Sequence, residues 1–234
     1  MNSEKKFETF LYLSNEKFVI IVKEDLKKEY FFKKEFTLDN NKDDIDFDLL
    51  NEFLNENIFK IEKVLKKFIQ NINLILRHKR FLNIDISIKK DNFGKKINKK
   101  ILNYSLADAN RQIKENYSDY EIIHLLIDKY FINGCTYYNF PIDISSDYLV
   151  IDLKFICLSS NIIKNLEKIF KNYQIKISKI ISVKYLEDYF KDNKSDIFSN
   201  CQKILDGTNQ NEVQLISKNR KKMGFFERFF LLFS

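Results

Sequence analysis

Two hydrophobic periods alternate along this 234-residue chain, and their order restricts the fold more than any other feature. Leu149, Ile151, Leu153, Phe155 and Cys157 occupy every second position, and Leu82, Ile84, Ile86 and Ile88 do the same. Successive side chains of a strand point to opposite faces, so both runs predict strands with one buried face. Residues 10–22, FLYLSNEKFVIIV, predict a strand, a tight turn around Ser14–Glu16 and a second strand; Tyr30 to Leu38 adds a third. EIIHLLIDKYFI predicts a strand pair or one bent strand, followed by a loop containing Pro141.

The second period is helical. Ile58, Ile61, Leu65, Phe68, Ile72 and Ile75 step by three or four and predict a helix near 57–77. Asp39, Asp43, Asp44, Asp46 and Asp48 precede it, where negative charge complements a helix dipole. Further helices are expected over Lys99 to Asn116 and Asn161 to Asn172, the latter with Ile162, Leu166, Ile169 and Phe170 inward. Ile175 to Val183 predicts a strand, and a short helix follows to about Phe190. KKDNFGKK reads as a turn or exposed loop, and 191–220 as a polar linker with one short helix around Ile204. This succession predicts an α+β fold with helices laid against sheets.

Composition then removes several function classes. Four glycines, none close to another, leave no GxGxxG or GxxxxGK[ST] phosphate cradle. Such cradles need glycine because the backbone approaches phosphate in unusual conformations. Cys135, Cys157 and Cys201 are odd in number and unpaired in spacing, and read as reduced, packed thiols of a cytosolic protein. His78 and His124 are the only histidines, too few and scattered for a zinc site or a triad, and His124 reads as a packed or edge residue. No acid–base pair stands out, so no enzyme activity, metal or cofactor is expected. A formal charge of +7 in a lysine-rich chain reads first as a solvated face. Tyr117, Tyr120, Tyr130, Tyr137 and Tyr138 near lysines keep open the alternative of a nucleic-acid-binding module. MNSEKKFETF lacks a signal-peptide core, and no run of about 18 apolar residues offers a span.

In this order, the middle of the chain resembles the bacterial cell-division protein FtsA family, actin-like membrane tethers of the division ring. The stretch HLLIDKYFINGCTYYNFPIDISSDYLVIDLKFICL is similar to the family's histidine, strand through Tyr130 and Ile132 to Gly134, proline at Pro141 and long strand from Leu149. NIIKNLEKIFKNYQIKISKIISVKYLEDYF continues the similarity. The resemblance implies a partial actin-like fold: residues 1–94 as a partial subdomain 1A holding the helix 57–77 and the strand 82–88. Residues 95–183 would form an inserted strand–helix–strand–strand subdomain 1C, and 184–219 a short helix and linker. LYLSNEKFVIIV falls where the family has a phosphate loop; Leu11, Leu13 and Lys17 keep its pattern. Tyr12 replaces the acidic residue and Ser14 the glycine, which removes the family's metal and phosphate features. Only 44 residues follow Phe190, too few for the lobe of subdomains 2A and 2B with its adenosine pocket and its contact with FtsZ.

The last residues, KNRKKMGFFERFFLLFS, add a separate element. At about 100° per residue, Phe225, Phe226, Phe229, Phe230 and Phe233 share an arc of roughly 140°, extended by Leu232. Lys218, Arg220, Lys221 and Lys222 precede them. An aromatic helix with a basic flank suits the headgroup region of an anionic bilayer. From Gly224 its length is roughly 16 Å, half a hydrocarbon core, so it lies on a membrane rather than crossing it. The FtsA family also ends in a linker and an amphipathic membrane-targeting helix. The sequence therefore predicts a non-catalytic division adaptor at the inner face of the cytoplasmic membrane. Residues 220–234 would contact lipid, and the 1C-like region would bind division proteins, with FtsZ as one candidate, or further copies of itself. A membrane-peripheral scaffold outside division, of the pilus-assembly kind, is the alternative within the same architecture.

Overall fold

The computed structural model describes residues 7–24, 29–38, 44–191 and 195–213. Three strands open the chain: β1 (Phe7–Leu13), β2 (Lys17–Glu24) and β3 (Tyr30–Thr37), a meander with antiparallel neighbours. Helix α1 (Phe47–Leu65) follows, its first turn capped by the Asp46 carboxylate, which accepts from the Leu49 amide at 3.2 Å. β4 (Asn71–Leu76) then lies parallel to β1. The chain next leaves this sheet to build a second one from β5 (Phe81–Asp91), α2 (Lys99–Asn116), β6 (Tyr120–Ile132), β7 (Cys135–Tyr137) and β8 (Tyr148–Ser159). Helix α3 (Ser160–Asn172) leads back to β9 (Lys176–Ser182), parallel to β4; α4 (Val183–Tyr189) and α5 (Ile197–Leu205) follow.

The result is a mixed five-stranded sheet, β3-β2-β1-β4-β9, and an antiparallel four-stranded sheet, β5-β8-β6-β7. The α+β class and mixed sheet agree with the expectation from sequence. In the first sheet both faces are buried. Leu11, Leu13, Phe18 and Ile20 pack with Leu50, Leu54 and Ile61 of α1 and Leu166 and Phe170 of α3. The opposite side, with Phe10, Val19, Ile21 and Ile75, packs on Val183 and Leu186 of α4 and Phe198, Cys201 and Ile204 of α5. The second sheet is covered on one face, where α2 contributes Leu106, Ala109 and Ile113 against Ile151, Leu153 and Phe155 of β8.

Four expectations change. The helix expected over 57–77 is two elements. α1 begins ten residues earlier and stops at Lys66, whose φ of 55° is left-handed, and Phe68 is 84% exposed. Ile72 and Ile75 belong to β4; because both its faces are buried, its apolar residues run together and their spacing imitates a helix. The strand at 82–88 pairs along its whole length with β8, so it belongs to the second sheet rather than to 1A. Conversely, the 175–183 strand is β9 of the first sheet, and the inserted unit runs from Phe81 to Ser159 instead of 95–183.

The polar stretch expected to be a linker is partly structural. Asp196 caps α5 through the amides of Phe198 and Ser199 and accepts the Tyr30 hydroxyl of β3 at 2.7 Å. Residues 209–213 then lie along β6: the Ile127 amide donates to the Asn211 carbonyl at 2.9 Å, and the Val213 amide to the Leu125 carbonyl at 2.8 Å. Residues 220–234 and all the lipid-contact positions named above lie outside the described residues. Among the described residues, no helix is long and apolar enough to cross a membrane.

Candidate functional site

In sheets with parallel strands, the carboxyl ends of those strands form the usual ligand crevice. Here Leu13, Leu76 and Ser182 end β1, β4 and β9 side by side in register. Beyond them opens a cleft of about 620 Å³, lined by Asn15, Arg77, His78, Asn83, Lys184 and Glu187 among others. Tyr12, Ser14 and Lys17, the degenerate phosphate-loop positions, sit on the β1–β2 hairpin beside it.

The turn is closed from within. The Ser14 hydroxyl donates to the Lys17 carbonyl at 3.1 Å and accepts from the amides of Glu16 at 3.1 Å and Lys17 at 3.0 Å. The Ser14 amide itself donates to the Lys17 carbonyl at 3.1 Å. A phosphate cradle depends on turn amides that face the ligand; three of these amides are spent on the turn itself. Lys17 Nζ lies 2.7 Å from Glu35 Oε1 on the neighbouring strand β3. That hydrogen bond raises the Lys17 pKa and lowers that of Glu35. Tyr12 is buried, and its hydroxyl accepts from Arg77 Nε at 3.1 Å.

Arg77, His78 and Asp44 at the cleft are likewise engaged with neighbouring groups. Arg77 also bonds Glu187; partial burial opposes its charge, but the bonds to Tyr12 and Glu187 outweigh this and raise its pKa. His78 Nδ1 accepts from the Arg80 amide at 3.0 Å, which makes Nε2 the donor to Asp44, 2.6 Å away. Arg80 binds the other Asp44 oxygen at 3.0 Å. Burial acts to raise Asp44, yet the bonds from His78 and the Ile45 amide bring it below the ordinary carboxylate range.

A second polar cluster lies where the two sheets meet. His124 on β6 is buried, as the sequence suggests, and its Nε2 accepts from the Ser182 amide at 3.2 Å. Nδ1 therefore carries the proton and donates to Glu212 Oε1 at 2.8 Å. The other Glu212 oxygen accepts the Tyr185 hydroxyl at 2.8 Å, and Asn209 Nδ2 donates to that hydroxyl at 2.8 Å. Burial acts to raise Glu212, but the bonds from His124 and Tyr185 prevail and lower its pKa. Burial is also the main cause raising Tyr185. These bonds join β6, α4 and the 209–213 segment into one assembly. It is a brace: both ring nitrogens of His124 are engaged by a backbone amide and a carboxylate, not by a hydroxyl or thiol nucleophile.

Other sequence candidates scatter. Tyr120 and Tyr130 stand ten residues apart on β6, roughly 34 Å, and Tyr130 is buried against Phe140. The tyrosines therefore do not make one stacking platform. Cys157 and Cys201 are free and buried; burial pushes the Cys157 thiol up to about 11 and Cys201 further up. Cys135 is free but exposed, since β7 is a short edge strand, which corrects the expectation of three packed thiols. Arg77 and Glu212 escaped the sequence reading, which gave Asp44 only a helix-dipole role. The available signal for Arg77 was Arg-His after the apolar run INLIL, a polar pair at a strand's carboxyl end.

No known family profile and no curated protein sequence matches the chain. Among solved structures it is similar to a PilM–PilN type IV pilus biogenesis complex, with 6% identity and a TM-score of 0.48 over 79% of this chain and 50% of that one. It is also similar to the cytoplasmic domain of EpsL, an inner-membrane component of the type II secretion system of Vibrio cholerae. There the identity is 10% and the TM-score 0.36, over 76% of this chain and 56% of the other. A Bacteroides thetaiotaomicron protein described as having an actin-like ATPase fold and unknown function gives 13% identity and a TM-score of 0.33, over 82% and 59%. The chain thus spans between 50% and 59% of the length of these structures.

Proposed function

We propose that this protein is a non-catalytic, actin-like adaptor that works at a membrane surface. Its two-sheet body binds protein partners, and residues 220–234 bind anionic lipid from the cytoplasmic side. The observation that carries the non-catalytic part is the β1–β2 turn: Ser14 consumes the amides of Glu16 and Lys17, and Glu35 holds Lys17. A turn so engaged serves as a structural corner rather than as a phosphate site. The lipid contact rests on the sequence pattern of five phenylalanines behind a basic run.

Division-ring proteins, with FtsZ among them, are the partners that the FtsA resemblance proposes. A scaffold outside division would share the same mechanics, and the bound partner distinguishes the two. In either case one copy binds membrane weakly and reversibly, and clustering multiplies the affinity through avidity. Co-sedimentation with vesicles of phosphatidylglycerol and phosphatidylcholine tests the lipid part. The full chain is expected to pellet, and a chain ending at Asn219 to lose most of that binding. Equal pelleting of both, or of neither, contradicts it.

A further inference from the structure

The far end of the second sheet carries an exposed aromatic residue on a rigid support. β5 ends at Asp91, and the chain turns through Asn92, Phe93 and Gly94 before α2. Phe93 has a φ of 51° and Gly94 one of 69°, both left-handed. Glycine adopts this region freely, whereas a phenylalanine there is strained. Phe93 is nevertheless 78% exposed, so no packing of its own side chain compensates.

The loop is held by its neighbours instead. The buried Asn92 side chain donates to the carbonyls of Lys95 and, at 3.1 Å, Ser146. The Phe93 amide donates to the Asp147 carbonyl at 3.0 Å, and the Ser146 amide to the Lys95 carbonyl at 3.2 Å. Ile97 is fully buried and exchanges backbone bonds with Asp143 and Ile144. The facing 142–148 segment exposes Ile142 and part of Tyr148.

The charge around this tip is of one predominant sign. Residues 89–100, KKDNFGKKINKK, hold six lysines against Asp91. Lys90 is engaged by Asp108 at 2.7 Å, and Lys89 lies over the Tyr148 ring at 4.3 Å. Lys95, Lys96, Lys99 and Lys100 are exposed, while Asp91, Asp143 and Asp147 supply the opposing charge. An exposed phenylalanine on a lysine-rich loop has the chemistry of a headgroup contact, with aromatic insertion and attraction to anionic lipid.

We propose that the Phe93 tip is a second contact with an anionic lipid surface, acting together with the C-terminal segment. This rests on the membrane-peripheral reading above. The reach is adequate: Val213 bonds Leu125, seven residues or roughly 24 Å along β6 from Ile132 near the tip. Eleven residue steps lead from Val213 to Gly224, up to roughly 36–40 Å of extended chain. Two contacts in one plane would fix the body's orientation on the bilayer, which a single tether does not do.

The chain contains no tryptophan, so Phe93→Trp in the full chain places a unique fluorophore at the tip. With phosphatidylglycerol-containing vesicles its emission is expected to shift to the blue and to be quenched by lipids brominated on the acyl chain. Pure phosphatidylcholine vesicles should cause neither. Phe93→Asn, which suits a left-handed position, is expected to weaken vesicle partitioning about five- to tenfold without loss of thermal stability. If the full chain pellets but the emission of the introduced tryptophan is unmoved and unquenched, the proposal is overturned: the C-terminal contact stands, and the tip is left to a protein partner. If the full chain does not pellet at all, the membrane reading fails and this proposal fails with it.

Discussion

The two sheets solve the same burial problem differently. The first is covered on both faces: α1 and α3 lie on one side, α4 and α5 on the other, and Phe10, Leu11, Phe18 and Ile20 are fully buried. The second carries one covering helix, α2, on one face, and β5 alternates exposed Asn83, Asp85, Ser87 and Lys89 with inward Leu82, Ile84, Ile86 and Ile88. A doubly covered sheet fixes the body, because its central strands β1, β2 and β4 have partners on both faces. A half-covered sheet can present a surface and change it at little cost to folding. Interaction is therefore expected from the second sheet and its tip, and stability from the first.

Substitutions in the two regions should break this comparison if it is mistaken. The largest effect is expected at Phe18, which is buried between β2 and α1 with the rings of Phe36 and Phe53 at 6.4 and 6.0 Å. Phe18→Ala should cost about 3–5 kcal/mol in a urea unfolding experiment, whereas Phe93→Asn should cost essentially nothing in the same assay. Comparable losses at the two positions would contradict the division of roles.

Glu212→Gln comes next, because it weakens the brace between the sheets. Loss of the charged acceptor for His124 and Tyr185 should cost about 1–3 kcal/mol at neutral pH. The Glu212 pKa is lowered in the folded state, so its contribution is present above the ordinary glutamate pKa and is lost as pH falls through the lowered value. Urea midpoints measured from neutral pH into the acid range should show a flatter acid limb in the variant than in the parent protein.

The smallest effect is expected on the surface of the second sheet. Asp108 accepts from Lys90 and Arg111, which hold its carboxyl at about 2. These groups are solvated, so Asp108→Asn should shift the midpoint less than Phe18→Ala or Glu212→Gln, and the shift should shrink with added salt. A shift as large as that of Glu212→Gln would show that the open sheet is more tightly held than its coverage implies.

How much of this was legible in the sequence follows the locality of each cause. β8 alternates, β1 and β2 are short apolar runs separated by the polar turn Ser14–Glu16, and α2 has its own stripe, so local pattern located them. β4 was hidden because burial on both faces erased its alternation, and Leu65 and Phe68 extended a false helical register into it. The sheet to which β5 or β9 belongs is a matter of long-range pairing, which local pattern does not encode. The importance of Glu212 depends on His124, 88 residues away in sequence. KKDNFGKK could be read as a loop, but the left-handed backbone that holds Phe93 outward follows from Asn92 and the 143–147 segment beneath it.

The proposed nucleotide-free role stands or falls with the β1–β2 turn, where the Glu16 and Lys17 amides bond the Ser14 hydroxyl. Titration of the full chain with magnesium ATP in a calorimeter tests this most directly. The account predicts dilution heats with no saturable component; a saturable binding isotherm that disappears on Lys17→Ala would contradict it.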